Sequence, residues 1–169
     1  VRGICTGDLV RRVIARTLAQ SHAAEIERAA APHQVAMGTR AGADAAILAT
    51  RAALELDDMV LVSLDGIGAY DHVRRAAMLA KVDDLPEARA MMPFLRMFYA
   101  QPSRYLWRDE EGLEREITQG EGGEQGDPLM PALYALGQHR ALQQTAADLH
   151  ADDMLLSLIH ISEPTRPLY

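Results

Sequence analysis

The segment MVLVSLDGIGAYDH, residues 59–72, sets the frame for the rest of the chain. Met59 to Leu64 is a run of apolar or small residues, rich in Val and Leu and bounded by charged groups, which predicts a buried strand. Asp65 stands at its C-terminal end, followed by a glycine turn. A strand end fixes such a carboxylate while the turn lets backbone carbonyls approach, an arrangement suited to a divalent cation. Asp71 lies six residues further on. A strand-Asp-Gly on its own also serves simply to cap the next helix, so the choice rests on the flanking sequence.

Upstream, Gly3 to Thr6 predicts a short strand, and Asp8 to about Ala30 a long helix. Leu9, Val13, Ile14 and Leu18 recur there at helical spacing, Asp8 is the expected N-cap, and Arg11, Arg12 and Arg16 fall on other faces. Pro32 ends that helix, and HQVAMGTRAGADAA, residues 33–46, predicts a loop turning into a helix that runs to about Leu56. Downstream, residues 71–82 predict one helix, and a second runs from Pro86 at its first position to about Tyr99, with Leu95 and Phe98 on the apolar side. Ser103–Arg108 and Leu113–Thr118, separated by DEEG, predict a hairpin of half-buried strands. QGEGGEQGDP, residues 119–128, is a loop, and Pro128 to about Leu149 a helix. The expected class is α+β.

The chain has 169 residues, enough to bury about two-thirds of its unfolded surface. No apolar run approaches the ~20 residues of a membrane span, and a single cysteine, Cys5, excludes a disulfide framework, so an intracellular setting, cytoplasm or nucleus, is expected. Lys81 is the only lysine and asparagine is absent, the mark of a GC-rich gene. The first residue is Val1, which suggests a piece of a longer protein. The net charge of −7 is uneven: residues 1–51 carry seven basic and four acidic groups, a net of +3, and the remainder a net of −10. A basic front suits phosphates, whereas an acidic rear suits them only through metal ions.

VSLDGIGAYDHV, residues 62–73, resembles motif A of reverse transcriptases, and EQGDPLMPALY, residues 124–134, resembles their motif B. VRGICTGDLVRRVIAR at the start is similar to the strand and helix of the family's fingers, and residues 33–46 to the stretch that precedes motif A. The four blocks occur in family order over about residues 1–155, which makes the match far more specific than any one of them. Gly3 stands where Pro is usual, Ala36 where Gly is usual and Met130 where Ser is common, which loosens the subfamily. Viral RNA-dependent RNA polymerases use an Asn-bearing motif B, and this chain has no Asn.

The resemblance implies a right-hand polymerase: residues 1–56 as the fingers part with the helix leading into the palm, residues 57–155 as the palm with its sheet and packed helices, and no thumb. It implies RNA-templated DNA synthesis with Mg²⁺ or Mn²⁺, an RNA template, a DNA or RNA primer and deoxynucleoside triphosphates as partners, and no membrane. Such chemistry uses two cations ~4 Å apart. Asp65 is then the catalytic metal ligand, with the Gly66 carbonyl as a second oxygen. Tyr70 falls beneath the incoming sugar, where its ring would exclude a 2′-hydroxyl; a plain core position is the alternative. Gln125 and Gly126 belong to the nucleotide pocket, and Arg2 matches the fingers arginine that reaches the triphosphate, unless it is a solvated terminal residue. Arg11, Arg12 and Arg16 either meet template backbone or are merely solvated. Asp71 is expected to cap its helix and His72 to lie at the surface.

The family also needs an Asp-Asp pair in a turn after a strand, its motif C. Asp152 and Asp153 form the only such pair beyond motif B, but they precede the apolar run Met154–Ile159 rather than follow it. They are the weaker alternative metal ligands. LSLIHISEPTR, residues 156–166, looks like the in-frame translation of a sequencing adapter, so residues 156–169 are expected to be a non-native tail. A fragment without motif C is expected to lack polymerase activity. A non-catalytic nucleic-acid-binding remnant and a small metal-dependent hydrolase using Asp65, Asp71 and His72 are the competing readings.

Overall fold

The computed structural model describes residues 8–35, 40–56, 61 and 68–148. Their class is α+β: helices α1 (Leu9–Ser21), α2 (Ala23–Ala30), α3 (Gly42–Leu54), α4 (Ala69–His72) and α5 (Arg75–Asp83), then α6 (Met92–Tyr99), strands β1 (Ser103–Arg108) and β2 (Glu114–Gln119), and α7 (Met130–Asp148). The expected strands at Gly3–Thr6 and Met59–Leu64 lie outside the described residues, apart from Leu61. The one sheet among the described residues is the antiparallel β1–β2 pair.

Asp8 caps α1 as expected, its carboxylate accepting from the amides of Val10 (2.8 Å) and Arg11 (3.3 Å). The single helix expected to reach Ala30 is instead two. Ser21 and His22, both indifferent helix formers, interrupt it, and the new direction lets α2 bury Ile26 and Ala30. The expected apolar face of α1 is also wrong. Leu9 is 72% exposed, with Val10, Val13 and Ile14 exposed beside it, while Ala15 is completely buried and Arg11 half-buried.

The helix expected over 71–82 breaks at Val73, which is extended, so that α4 and α5 are separate. The break leaves the Tyr70 and Val73 carbonyls free for another partner, described below. Pro93, not Pro86, opens the next helix, and a short 3-10 turn, Ala88–Met91, fills the interval. α3 ends at Leu54, close to expectation.

The core is the packing of α5 and α2 against α7, with α6 against α5. Met78, Val82, Met91, Leu95, Leu129, Met130, Leu133 and Leu136 are all essentially inaccessible. Gly137 permits the close approach of α5 to α7, because a Cβ there would sit 2.9 Å from both Met78 Cγ and Val73 Cγ2. Ala15 and Ile26 join the same core, so α1 and α2 are seated on it.

The hairpin forms in the expected place, with Trp107 opposite Arg115 and Tyr105 opposite Ile117. Its turn is organised by Asp109, which accepts from the amides of Glu111 and Leu113 and from Arg115 Nε. The strands are more exposed than expected: Leu106 is 71% accessible, and Trp107 and Ile117 are about half so. The hairpin projects from the body instead of lying on it.

His139 of α7 is 4% exposed, its ring 6.1 Å from that of His33. Burial lowers its pKa, Lys81 and His33 lower it further, and a backbone hydrogen bond with Ala30 opposes them. The fold therefore favours the neutral imidazole. This contribution is present in full above the ordinary value near 6.5 and is lost as pH falls below it. The loss of urea-midpoint stability between pH 7 and pH 5 should thus be larger in the parent chain than in His139→Gln. Equal losses would contradict this.

Candidate functional site

The glycine-rich loop between β2 and α7 is built by close backbone contact. Gly122, at φ +73°, donates its N–H to the Val73 carbonyl (2.8 Å), and Gly123 donates to the Tyr70 carbonyl (2.8 Å). These are the two carbonyls released by the break between α4 and α5. A Cβ on Gly122 would overlap the backbone of Asp71 and Tyr70, and one on Gly123 would overlap the Met130 side chain. The loop therefore lies directly on the start of α4.

Two arginines hold the loop from either side. Arg75, 4% exposed, donates from Nε to the Gly122 carbonyl (2.7 Å), from Nη1 to the Gln101 carbonyl (2.7 Å) and from Nη2 to Ser103 Oγ (2.9 Å). Its backbone N–H donates to the Glu121 carboxylate (2.8 Å). One guanidinium thus joins α5, the base of the hairpin and the loop.

Arg11 forks between Glu124 Oε2 (2.7 Å) and Asp127 Oδ2 (3.1 Å), with its guanidinium 4.1 Å from the centre of the Phe98 ring. The Tyr99 hydroxyl donates to the same Asp127 oxygen, and the other Asp127 oxygen accepts from the Leu129 amide (2.9 Å). Burial opposes the charge on Arg11, but Glu124 above all, with Tyr99 and Asp127, outweighs it and holds its pKa above the ordinary value. Burial and then Asp127 push the Tyr99 hydroxyl far up, so it stays a donor throughout the accessible pH range.

Of the residues assigned from sequence to the metal and nucleotide site, Tyr70, Gln125 and Gly126 are described. Tyr70 lies on α4, half-buried, its ring meeting Tyr134 edge-on at 5.3 Å, and burial followed by Tyr134 raises its pKa to about 12. Its ring is thus packed against the core as well as adjoining the loop. Gln125 and Gly126 occupy the turn closed by the Asp127 amide on the Glu124 carbonyl (3.1 Å), Gln125 half-buried and Gly126 exposed. Gly126 shares a shallow depression with Arg11, Arg12, Glu124, Asp127 and Pro128.

Arg2, Asp65, Gly66, Asp152 and Asp153 lie outside the described residues. No group of three or more His, Cys, Asp or Glu side chains suited to a metal ion occurs among the described residues. Asp71 and His72 are exposed; Asp71 makes no cap, as α4 starts two residues before it. No described helix is long and apolar enough to cross a membrane.

Sequence reasoning passed over Arg75, Glu124, Asp127 and Tyr99, and assigned Arg11 to template backbone or solvent. Their roles depend on partners 26 to 116 residues away, for which no local pattern exists. Only Arg11, one turn before Ala15 on the inward stripe, carried a faint local signal. Compared with protein-family models, curated proteins and solved structures, the chain matches none.

Proposed function

We propose that the chain is the fingers–palm part of a retroelement reverse transcriptase, of non-LTR or group II-like character. On this reading Asp65 and Gly66 hold Mg²⁺ or Mn²⁺, and Arg2, Tyr70, Gln125 and Gly126 take an incoming deoxynucleoside triphosphate. The observation that supports it best is the pairing of Gly122 and Gly123 with the Val73 and Tyr70 carbonyls. A templated polymerase needs the segment bearing its metal ligand and the segment lying against the nucleotide to be neighbours. Here the two glycines immediately before the stretch that resembles motif B are hydrogen-bonded to the end of the stretch that resembles motif A, although about fifty residues separate them.

Arg11 is occupied by Glu124 and Asp127, so among the three arginines of α1 only Arg12 and Arg16 remain exposed for template backbone. The second acidic pair that nucleotidyl transfer requires has no well-placed candidate in the sequence, so nucleotide binding, not primer extension, is the activity expected of these 169 residues.

Calorimetric titration tests this. With Mn²⁺ present, dTTP should bind the chain and Asp65→Ala should abolish the binding. UTP should bind about 10- to 100-fold more weakly, with Tyr70→Ala narrowing the gap. Equal binding of dTTP and UTP that is indifferent to both substitutions would sink the reading.

A further inference from the structure

We infer that Arg11 is a positioning residue for the turn that presents Gln125 and Gly126, tying helix α1 to the nucleotide loop; this rests on the reading of that loop as a nucleotide site. Apolar packing seats only the later turns of α1, through Ala15, Leu18 and Ala19, since Leu9, Val10, Val13 and Ile14 are exposed. The Arg11 side chain instead crosses to Glu124 and Asp127, the residues immediately flanking Gln125 and Gly126.

The two carboxylates differ in what else they hold. Asp127 keeps Tyr99 and the Leu129 amide whatever happens to Arg11. The Glu124 carboxylate, in a residue 8% exposed, has Arg11 as its side-chain partner among the described residues. Two buried carboxylates facing one guanidinium make the fork shape essential, because a lysine ammonium cannot serve both with the same geometry. Losing the fork frees the Glu124 end of the turn first. Gln125 would then swing about an Asp127 anchor that still holds α7 in place.

The test uses Arg11→Lys, Glu124→Gln and the double variant, read by amide exchange and by dTTP affinity in Mg²⁺. Both single variants should speed exchange at Gln125 and Gly126 about tenfold, leave Leu133 to Leu136 within about twofold, and weaken dTTP about tenfold. The double variant should be no worse than Arg11→Lys alone, since the Glu124 contact is already lost in it. Faster exchange that rises in parallel along α7, or no change at the turn, overturns the inference. If the parent chain binds no dTTP while exchange still rises selectively, the nucleotide reading fails and the hold of Arg11 on the turn is supported. If parent and variants bind dTTP alike, the nucleotide reading stands and positioning by Arg11 is overturned. Glu124→Gln keeps the side-chain shape, so it provides the test even where Arg11→Lys unfolds the chain.

Discussion

Gly122→Ala is expected to destabilise the chain by about 3 kcal/mol, the sum of backbone strain at a left-handed residue and overpacking against a rigid neighbour. Gly122 sits at φ +73°, where a side chain is disfavoured, and the atoms its Cβ would meet are backbone atoms of Tyr70 and Asp71. Backbone cannot rotate away as a flexible side chain can, so the loop must lift. Lifting it breaks the Gly122–Val73 hydrogen bond and strains that of Gly123 to Tyr70. Gly120 is the internal control: a Cβ there meets nothing within 4 Å, so Gly120→Ala should change stability by less than about 0.5 kcal/mol. Urea unfolding of the two variants checks this, and equal effects would mean the loop does not lie on α4 as described.

Arg75→Met is expected to be of similar size, about 3 kcal/mol, because hydrogen bonds to a charged donor contribute ~1.5–3 kcal/mol and buried acceptors left without one add a desolvation penalty. The carbonyls of Gly122 and Gln101 and the hydroxyl of Ser103 all lose their guanidinium donor at once. Methionine fills much of the volume, which isolates the polar loss from the packing loss. The neighbouring Arg74 is exposed, so Arg74→Met should stay within about 0.5 kcal/mol of the parent. Since Arg75 also fastens the base of the hairpin, tryptic cleavage at Arg104 and Arg108 should quicken in Arg75→Met and not in Arg74→Met. Matching midpoints for the two variants would show that the Arg75 network contributes little.

The elements that the sequence announced are those governed by local chemistry. The hairpin follows from alternation and a DEEG turn, the start of α1 from Asp8, and α7 stands where a helix was expected after the glycine-rich loop. What could not be read was set by distant partners. The break at Val73 exists because two glycine amides from residues 122 and 123 take the Tyr70 and Val73 carbonyls, and nothing between residues 69 and 83 foretells that. The face of α1 was misread because Leu9, Val13 and Ile14 have helical spacing, whereas the core accepts Ala15 and an arginine whose charge is offset across 113 residues. Tyr70, Gln125 and Gly126 were reached through resemblance, and the structure places the first beside the loop that carries the other two. Asp65, Gly66 and Arg2 fall outside the described residues, so the roles proposed for them rest on the sequence.

Paramagnetic broadening by Mn²⁺, with dTTP present, in the amide spectrum of the ¹⁵N-labelled chain probes the proposed function at the atoms concerned. The reverse-transcriptase reading predicts that the signals of Gly68, Ala69, Gln125 and Gly126 are lost together at low Mn²⁺ and survive in Asp65→Ala. Broadening confined to the acidic hairpin turn at Glu110 and Glu111, or broadening of the Gly68 and Gln125 signals that persists in Asp65→Ala, would contradict it.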